Sequence, residues 1–168
     1  MEITKREIIQ FKERKFPDRI CFKPIGVIHS QFKNLKGIPI QSSMSDATGT
    51  IEIFPEYKLG LKDLSEFSHI YCLYFFDMVK PPVPIQSKPF LDDELRGVFA
   101  IRTPFRPNPI GLSILELLEI VDNKIKVNNV DILDNTPILD IKPYVPNFDN
   151  IETTKIGWLE SKVRKKTS

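Results

Sequence analysis

Hydrophobic positions along this chain fall in short runs separated by polar or proline-rich turns. Thr50–Phe54 (TIEIF) alternates, with Ile51 and Ile53 on one face and Thr50, Glu52 and Phe54 on the other, the period of a half-buried strand. Phe22–His29 precedes it. Ser68–Phe76 is β-branched and aromatic and reads as a strand buried on both faces. Gly97–Arg102, Ser113–Val121, Ile125–Ile132 and Ile138–Lys142 continue the series, and Val121-Asp122-Asn123-Lys124 reads as a tight hairpin. Residues 4–15 differ: Ile8, Ile9 and Phe11 sit among Lys, Arg and Glu before Pro17, which predicts a short charged helix. Several short strands without alternating long helices predict a mainly β fold, an antiparallel barrel or sandwich rather than a parallel α/β sheet.

Composition narrows this to one domain of 168 residues, 41% hydrophobic and 27% charged, which argues against a disordered chain. The 14 prolines against 7 glycines argue against a bundle of long helices, where each interior proline costs about 3 kcal/mol. Lys80–Phe90 (KPPVPIQSKPF) reads as a loop, because its prolines cannot donate to a ladder. The net charge of +2 hides a segregation. Residues 1–23 carry 7 basic and 4 acidic side chains, residues 155–168 carry 5 and 1, and the middle carries 12 and 17. The expected organisation is a basic helical extension over 1–20, a barrel over 21–149 and a basic tail over 150–168.

Cys21 and Cys72 lie in apolar runs and are expected to be buried small hydrophobes, too few for a disulfide scaffold. With His29 and His69 they make no metal-ligand spacing, so no metal is expected. The first residues lack the uninterrupted apolar stretch of a signal peptide, and the longest strongly apolar run, Ile70–Phe76, is far below the roughly 20 residues of a membrane span. A cytoplasmic protein is the expectation. GxGxxG, GxxxxGK[ST] and GxSxG are all absent, which removes the ordinary phosphate loops and the nucleophile elbow.

The informative segment is GVFAIRTPFRPNPIGLS (97–113). Pro104, Pro107 and Pro109 fix their own φ and restrict the residue before each, so polar side chains there are held at low entropic cost. Arg102 and Arg106 offer planar forks for carboxylate or phosphate, and Asn108 an amide. The alternative is a rigid turn whose arginines are solvated or locally paired. In the second cluster, Asp131-Ile132-Leu133-Asp134-Asn135-Thr136-Pro137, Asp134-Asn135 is a turn signal. Asp131, Asp134 and Asp140 crowd an otherwise apolar stretch without forming an evident acid/base pair.

PIGVIHS (24–30), GTIEIF (49–54), LSEFSHIYCLYFF (64–76), RGVFAIRTPFRPNPIGLS (96–113) and LDNTPILDIKPYVP (133–146) occur in an order that resembles the TsaA/TrmO-like family typified by YaeB. The resemblance covers roughly residues 23–147 and is most specific in RPNPIG. It implies a small antiparallel β-barrel, unrelated to the Rossmann methyltransferases, that uses S-adenosylmethionine. It also implies tRNA as substrate, with methylation of the exocyclic amine of threonylcarbamoyl-adenosine beside the anticodon, and a homodimer with the cofactor site near the interface. Carried over by position, cofactor contacts fall on Gln41, Ser42, Ser43, Phe76 and Asp77. Arg102, Leu112, Ile132, Leu133, Asp134 and Asn135 complete that set. Arg102 would pair the cofactor carboxylate, Asp134 is the candidate proton acceptor, and Arg106 and Asn108 are candidates for substrate contact.

Two departures bear on this. Ser42-Ser43 stands where many bacterial members have Pro-Gly, and Asp77 where they tend to have His. Bacterial members also carry a further domain after KPY, where this sequence has a short basic tail. A small-molecule methyltransferase and a non-catalytic cofactor-binding module are therefore the alternatives. RNA binding would draw on Lys5, Arg6, Lys12, Arg14, Lys15 and on Lys162, Arg164, Lys165, Lys166, with an affinity that falls with salt.

Overall fold

The computed structural model describes residues 17–162; the helix expected over 4–15 lies outside the described residues. Six strands close into an antiparallel barrel: β1 (Gly26–Ser30), β2 (Gly49–Ile53), β3 (His69–Phe75), β6 (Ile110–Val121), β7 (Lys124–Asn128) and β8 (Pro137–Pro143). Their order around the barrel is β1-β2-β7-β6-β3-β8. Closure removes the unpaired edges that an open sheet would expose. A separate two-stranded ribbon, β4 (Gln86–Ser87) with β5 (Arg96–Gly97), lies in the long connection from β3 to β6. A single helical turn, α1 (Pro146–Asp149), follows the barrel. Among the described residues no helix is long and apolar enough to cross a membrane.

The strand period decides what fills the interior. Ile28, Ile51, Ile53, Ile70, Cys72, Leu115, Ile125, Val127 and Ile138 point inward and are buried. β3 alternates: Ile70, Cys72 and Tyr74 are buried, whereas Tyr71, Leu73 and Phe75 face outward and are partly open, so the expectation of burial on both faces is corrected. Their outward partners on β6 are Ile114, Leu112 and Ile110. The apolar content of β3 therefore reflects one core face and one outer apolar face.

Boundaries moved where backbone pairing competes with composition. β1 begins only at Gly26, where a Cβ would stand 2.3 Å from the Glu52 carbonyl oxygen. Phe22 is exposed, and Cys21 is exposed rather than buried. Gly97–Arg102 is not a strand. Only Arg96–Gly97 pairs, and Val98–Ala100 turns into a 3₁₀ helix, because the ladder partner is the two-residue β4 rather than a barrel strand. The ribbon also gives the expected loop over Lys80–Phe90 a short paired stretch. β7 ends at Asn128, where Asn129 takes a left-handed φ of 64°. The hairpin at 121–124 is present, with Val121 opposite Lys124 and Asp122 at φ 59°. In the C-terminal stretch, Gly157–Ser161 forms a 3₁₀ turn, and the Trp158 indole N–H donates to the Ala100 carbonyl at 2.9 Å.

Candidate functional site at one mouth of the barrel

Antiparallel order gathers the ends of β1, β3 and β7 and the starts of β2, β6 and β8 at one mouth. The segments 31–48, 76–109 and 129–136 are the connections there, so the two sequence clusters meet although they are far apart in the chain. They are linked directly by Ser113 Oγ, which donates to Asp131 Oδ1 at 2.6 Å, and Arg102 Nη1 donates to Gln41 Oε1 at 2.8 Å, tying the first cluster to the 31–48 connection as well. A guanidinium carries five N–H donors, so this bond orients Arg102 and leaves most of its donor capacity for a ligand. Arg102 is exposed.

The loop after Arg102 is braced by its own backbone. Arg106 N–H donates to the Pro104 carbonyl at 3.0 Å, and Ile110 N–H to the Asn108 carbonyl at 2.8 Å. The Arg106 side chain is partly buried and turns back toward the Ile101 carbonyl at 3.4 Å, whereas Asn108 is exposed. Phe76 N–H bonds the Pro109 carbonyl at 2.8 Å, which ties the end of β3 to the start of β6. The Phe76 ring stands edge-on to Tyr74 at 5.2 Å. Asp77 is exposed, and its N–H bonds the Phe75 carbonyl.

Residues 131–136 are held with unusual completeness. Asp134 accepts from the Ser30 amide at 2.9 Å and Asn135 Nδ2 at 2.7 Å, and pairs with Lys33 Nζ at 2.6 Å. Lys33, more than any other group, holds the Asp134 carboxyl below its ordinary range. Asn135 takes the left-handed conformation, φ 63°, as its turn chemistry predicts. Ile132 is 2% exposed, and its carbonyl accepts from Ser30 Oγ at 2.8 Å, so it offers main chain at most. Leu133 is partly buried; Ser43 and Leu112 are exposed, Leu112 at 59%.

Three residues beneath the mouth were not singled out as site residues from sequence. Tyr74 hydroxyl contacts Ser113 Oγ at 3.2 Å, and Ser113 donates to Asp131 Oδ1 at 2.6 Å. Burial pushes the Asp131 carboxyl up, against Ser113 and the backbone amides of Asp131 and Ser42, which favour its charge. Burial likewise pushes up the Tyr74 hydroxyl and the Cys72 thiol, with the negative charge of Asp131 adding to both. The one sequence signal was a carboxylate opening an apolar run. Its partner lies 18 residues earlier on another strand, a pairing created by register.

At the opposite end a cleft of about 530 Å³ opens between Tyr57, Leu61, Phe67 and Ile141. None of the expected cofactor or substrate residues lines it, although Asp140 does. Among the described residues no three His, Cys, Asp or Glu side chains group to hold a metal ion.

Barrel and mouth together define a small closed antiparallel barrel of non-Rossmann topology, with its polar groups in loops at one end. The family described as tRNA-methyltransferase O N-terminal domain matches residues 27–150. The chain belongs to this TrmO (TsaA-like) family. It is 52% identical to a probable S-adenosyl-L-methionine-binding protein of Pyrococcus abyssi, over 89% of this chain and 81% of that protein. It is 35% identical to the tRNA (adenine(37)-N6)-methyltransferase of Escherichia coli, over 83% of this chain and 64% of that enzyme. The crystal structure of TrmO from Pseudomonas aeruginosa superposes with a TM-score of 0.71 at 34% identity, covering 83% of this chain and 62% of that one. The chain thus spans less than two thirds of these two bacterial proteins.

Proposed function

We propose that this protein is a cytoplasmic S-adenosylmethionine-dependent methyltransferase that modifies the exocyclic amine of threonylcarbamoyl-adenosine beside the tRNA anticodon. The observation that carries the reading is the Gln41–Arg102 hydrogen bond at 2.8 Å. It joins two of the segments that the family resemblance assigns to the cofactor and presents a guanidinium at the barrel mouth. The donor set fits the cofactor: Arg102 suits a carboxylate, and Leu112, exposed on the outward face, offers apolar surface for a base, while Phe76 packs on the inward side against Tyr74. Ser42, Ser43, Asp77 and the main chain of 132–135 complete the contact set that the family resemblance assigns. When bound, the cofactor supplies a methyl group activated by a sulfonium. The residues of this chain hold the reactants in line, and orientation supplies much of the acceleration in such a displacement. Asp134, paired with Lys33 and held below the ordinary range, is a poor proton acceptor, and in this reading it holds its loop. Exposed Asn108 would meet the RNA, with Arg106 reaching it only by the donors that it does not turn toward Ile101, helped by the basic segments 1–20 and 150–168.

A homodimer completes the reading. The outward face of β3 and β6 leaves Phe75, Ile110, Leu112 and Ile114 between 36% and 59% exposed, next to the mouth. Contiguous apolar surface of this kind marks an interaction site. Light scattering at micromolar concentration should give a dimer mass, and a monomer would refute that assembly.

The test of activity is incubation with S-adenosylmethionine and tRNA bearing threonylcarbamoyl-adenosine, followed by mass spectrometry of the nucleosides. A methylated nucleoside is expected. Cofactor binding without a methylated nucleoside would refute the tRNA reading and leave the small-molecule enzyme or the binding module.

A further inference from the structure

Asp131 is a mostly buried carboxylate at the point where three parts of the mouth converge. The stretch before it is already stitched to the segment that follows Gln41. Ser45 Oγ donates to the Val130 carbonyl at 2.5 Å, Asn129 Nδ2 to the Ser45 carbonyl at 2.7 Å, and Val130 N–H to the Ala47 carbonyl at 2.9 Å. Asp131 extends this seam. Its Oδ1 takes the Ser113 hydroxyl from β6 at 2.6 Å, while the 3₁₀ turn Ser42–Met44 is held to the same stretch through Ser45. A serine hydroxyl has one proton. With that proton committed to Asp131, the Tyr74 hydroxyl, 3.2 Å away, must donate to Ser113. The anion therefore orders a chain that begins inside the barrel and ends at the loops. A neutral carboxyl can donate to Ser113, which reverses the chain and replaces a charge-assisted hydrogen bond with a weaker neutral one.

We infer that Asp131, as the anion, is the positioning residue of the cofactor site, clasping the 129–135 segment, with the Ser42 turn stitched to it through Ser45, onto β6. Each part of the clasp is adjacent to a residue assigned to the cofactor: Ser42 itself, Leu112 beside Ser113, and Ile132 after Asp131. The inference rests on the S-adenosylmethionine reading above, but the clasp has its own readout in the free protein. Charge-assisted hydrogen bonds are about twice as strong as neutral ones, so a neutral isostere should loosen the turn without removing any cofactor contact.

The groups facing Asp131 are Cys72 and Tyr74 from β3 and Ser113 from β6. Asp134, three residues on, carries Lys33. Burial keeps the thiol and the phenol neutral across the acid range, and Asp134 titrates below the ordinary range. Loss of affinity as pH falls through the raised Asp131 titration therefore reports this carboxylate.

The experiment titrates S-adenosylmethionine into wild type, Asp131→Asn and Ser113→Ala by calorimetry from pH 8 down into the ordinary carboxylate range, with hydrogen exchange of residues 41–45 in the free proteins. For Asp131→Asn we expect roughly tenfold or greater weakening, faster exchange over 41–45, and loss of the acid-side decline seen in wild type. Ser113→Ala should weaken binding less and serves if the Asn variant does not fold. Wild-type affinity and exchange in both variants would overturn the inference while leaving the cofactor reading intact. Unchanged affinity with only turnover reduced would also overturn it, since Asp131 would then act on the reaction itself. Failure of wild type to bind S-adenosylmethionine would overturn the proposed function and this role with it.

Discussion

Replacing Gly111 with alanine tests how the barrel mouth is built. The added Cβ would stand 2.1 Å from Tyr74 Cε2, 2.3 Å from Cζ and 2.7 Å from Cδ2, against about 3.5–4.0 Å for an ordinary carbon contact. Gly111 lies directly opposite Tyr74 in the β3–β6 register, so neither residue can avoid the other. The ring has little freedom to withdraw: Tyr74 is 5% exposed, packs against Phe76, and its hydroxyl meets Ser113. Overpacking of this kind costs about 1–3 kcal/mol, and loss of the Tyr74–Ser113 bond adds about 0.5–1.5 kcal/mol. The gain from removing a strand glycine offsets about 0.5 kcal/mol of this. The net expectation is a loss of about 1–4 kcal/mol, read from the midpoint of urea unfolding at unchanged m-value. Tyr74→Ala alone should cost about 3–5 kcal/mol. In that background Gly111→Ala should cost less than about 0.5 kcal/mol, because the clash has gone, so the cycle should show strong coupling. An equal penalty in both backgrounds would refute the steric argument.

The remaining predictions are briefer. Arg102→Ala should weaken S-adenosylmethionine binding roughly ten- to a hundredfold by calorimetry, the size of one lost charge-assisted pair; unchanged affinity would remove Arg102 from the site. Asp134→Ala strands the Ser30 amide and should cost about 1–3 kcal/mol at neutral pH. Because the folded Asp134 pKa is depressed, its contribution is complete above the ordinary carboxylate pKa. It is lost as pH falls through the depressed value, so wild type and variant should converge in stability toward the most acid conditions. Trp158→Phe removes the donor to the Ala100 carbonyl. It should speed amide exchange over residues 96–102 while shifting global unfolding by no more than about 1 kcal/mol; a uniform change across the barrel would contradict that local role.

Much of the barrel was legible from alternation. Ile51 and Ile53 share a buried face because strand period is a property of the backbone, and the 121–124 hairpin follows from turn chemistry next to β-formers. What misled was composition without register. Gly97–Arg102 has strand-forming residues, yet only Arg96–Gly97 meets a partner, two residues long. Cys21 lies in an apolar run but precedes the first paired residue, so nothing covers it. The glycine of RPNPIG carries no local signal of its role, and the barrel uses it to make room for the Tyr74 ring.

The same division holds for the site. The sequence by itself determined the family, through RTPFRPNPIG and LDNTP, and through that resemblance put Arg102 and Gln41 in one set of expected contacts. It also determined stiffness, since three prolines restrict the loop wherever it is placed. Which carboxylate serves which purpose was decided only by tertiary structure. Asp131 and Asp134 are three residues apart in the same turn-rich stretch, and nothing local separates them. Strand closure buries one against Ser113 and raises its pKa, and brings the other to Lys33 and the Ser30 amide and lowers it. A carboxylate's charge state depends on solvent access and on neighbours in space, and both are set by how six strands close into a barrel.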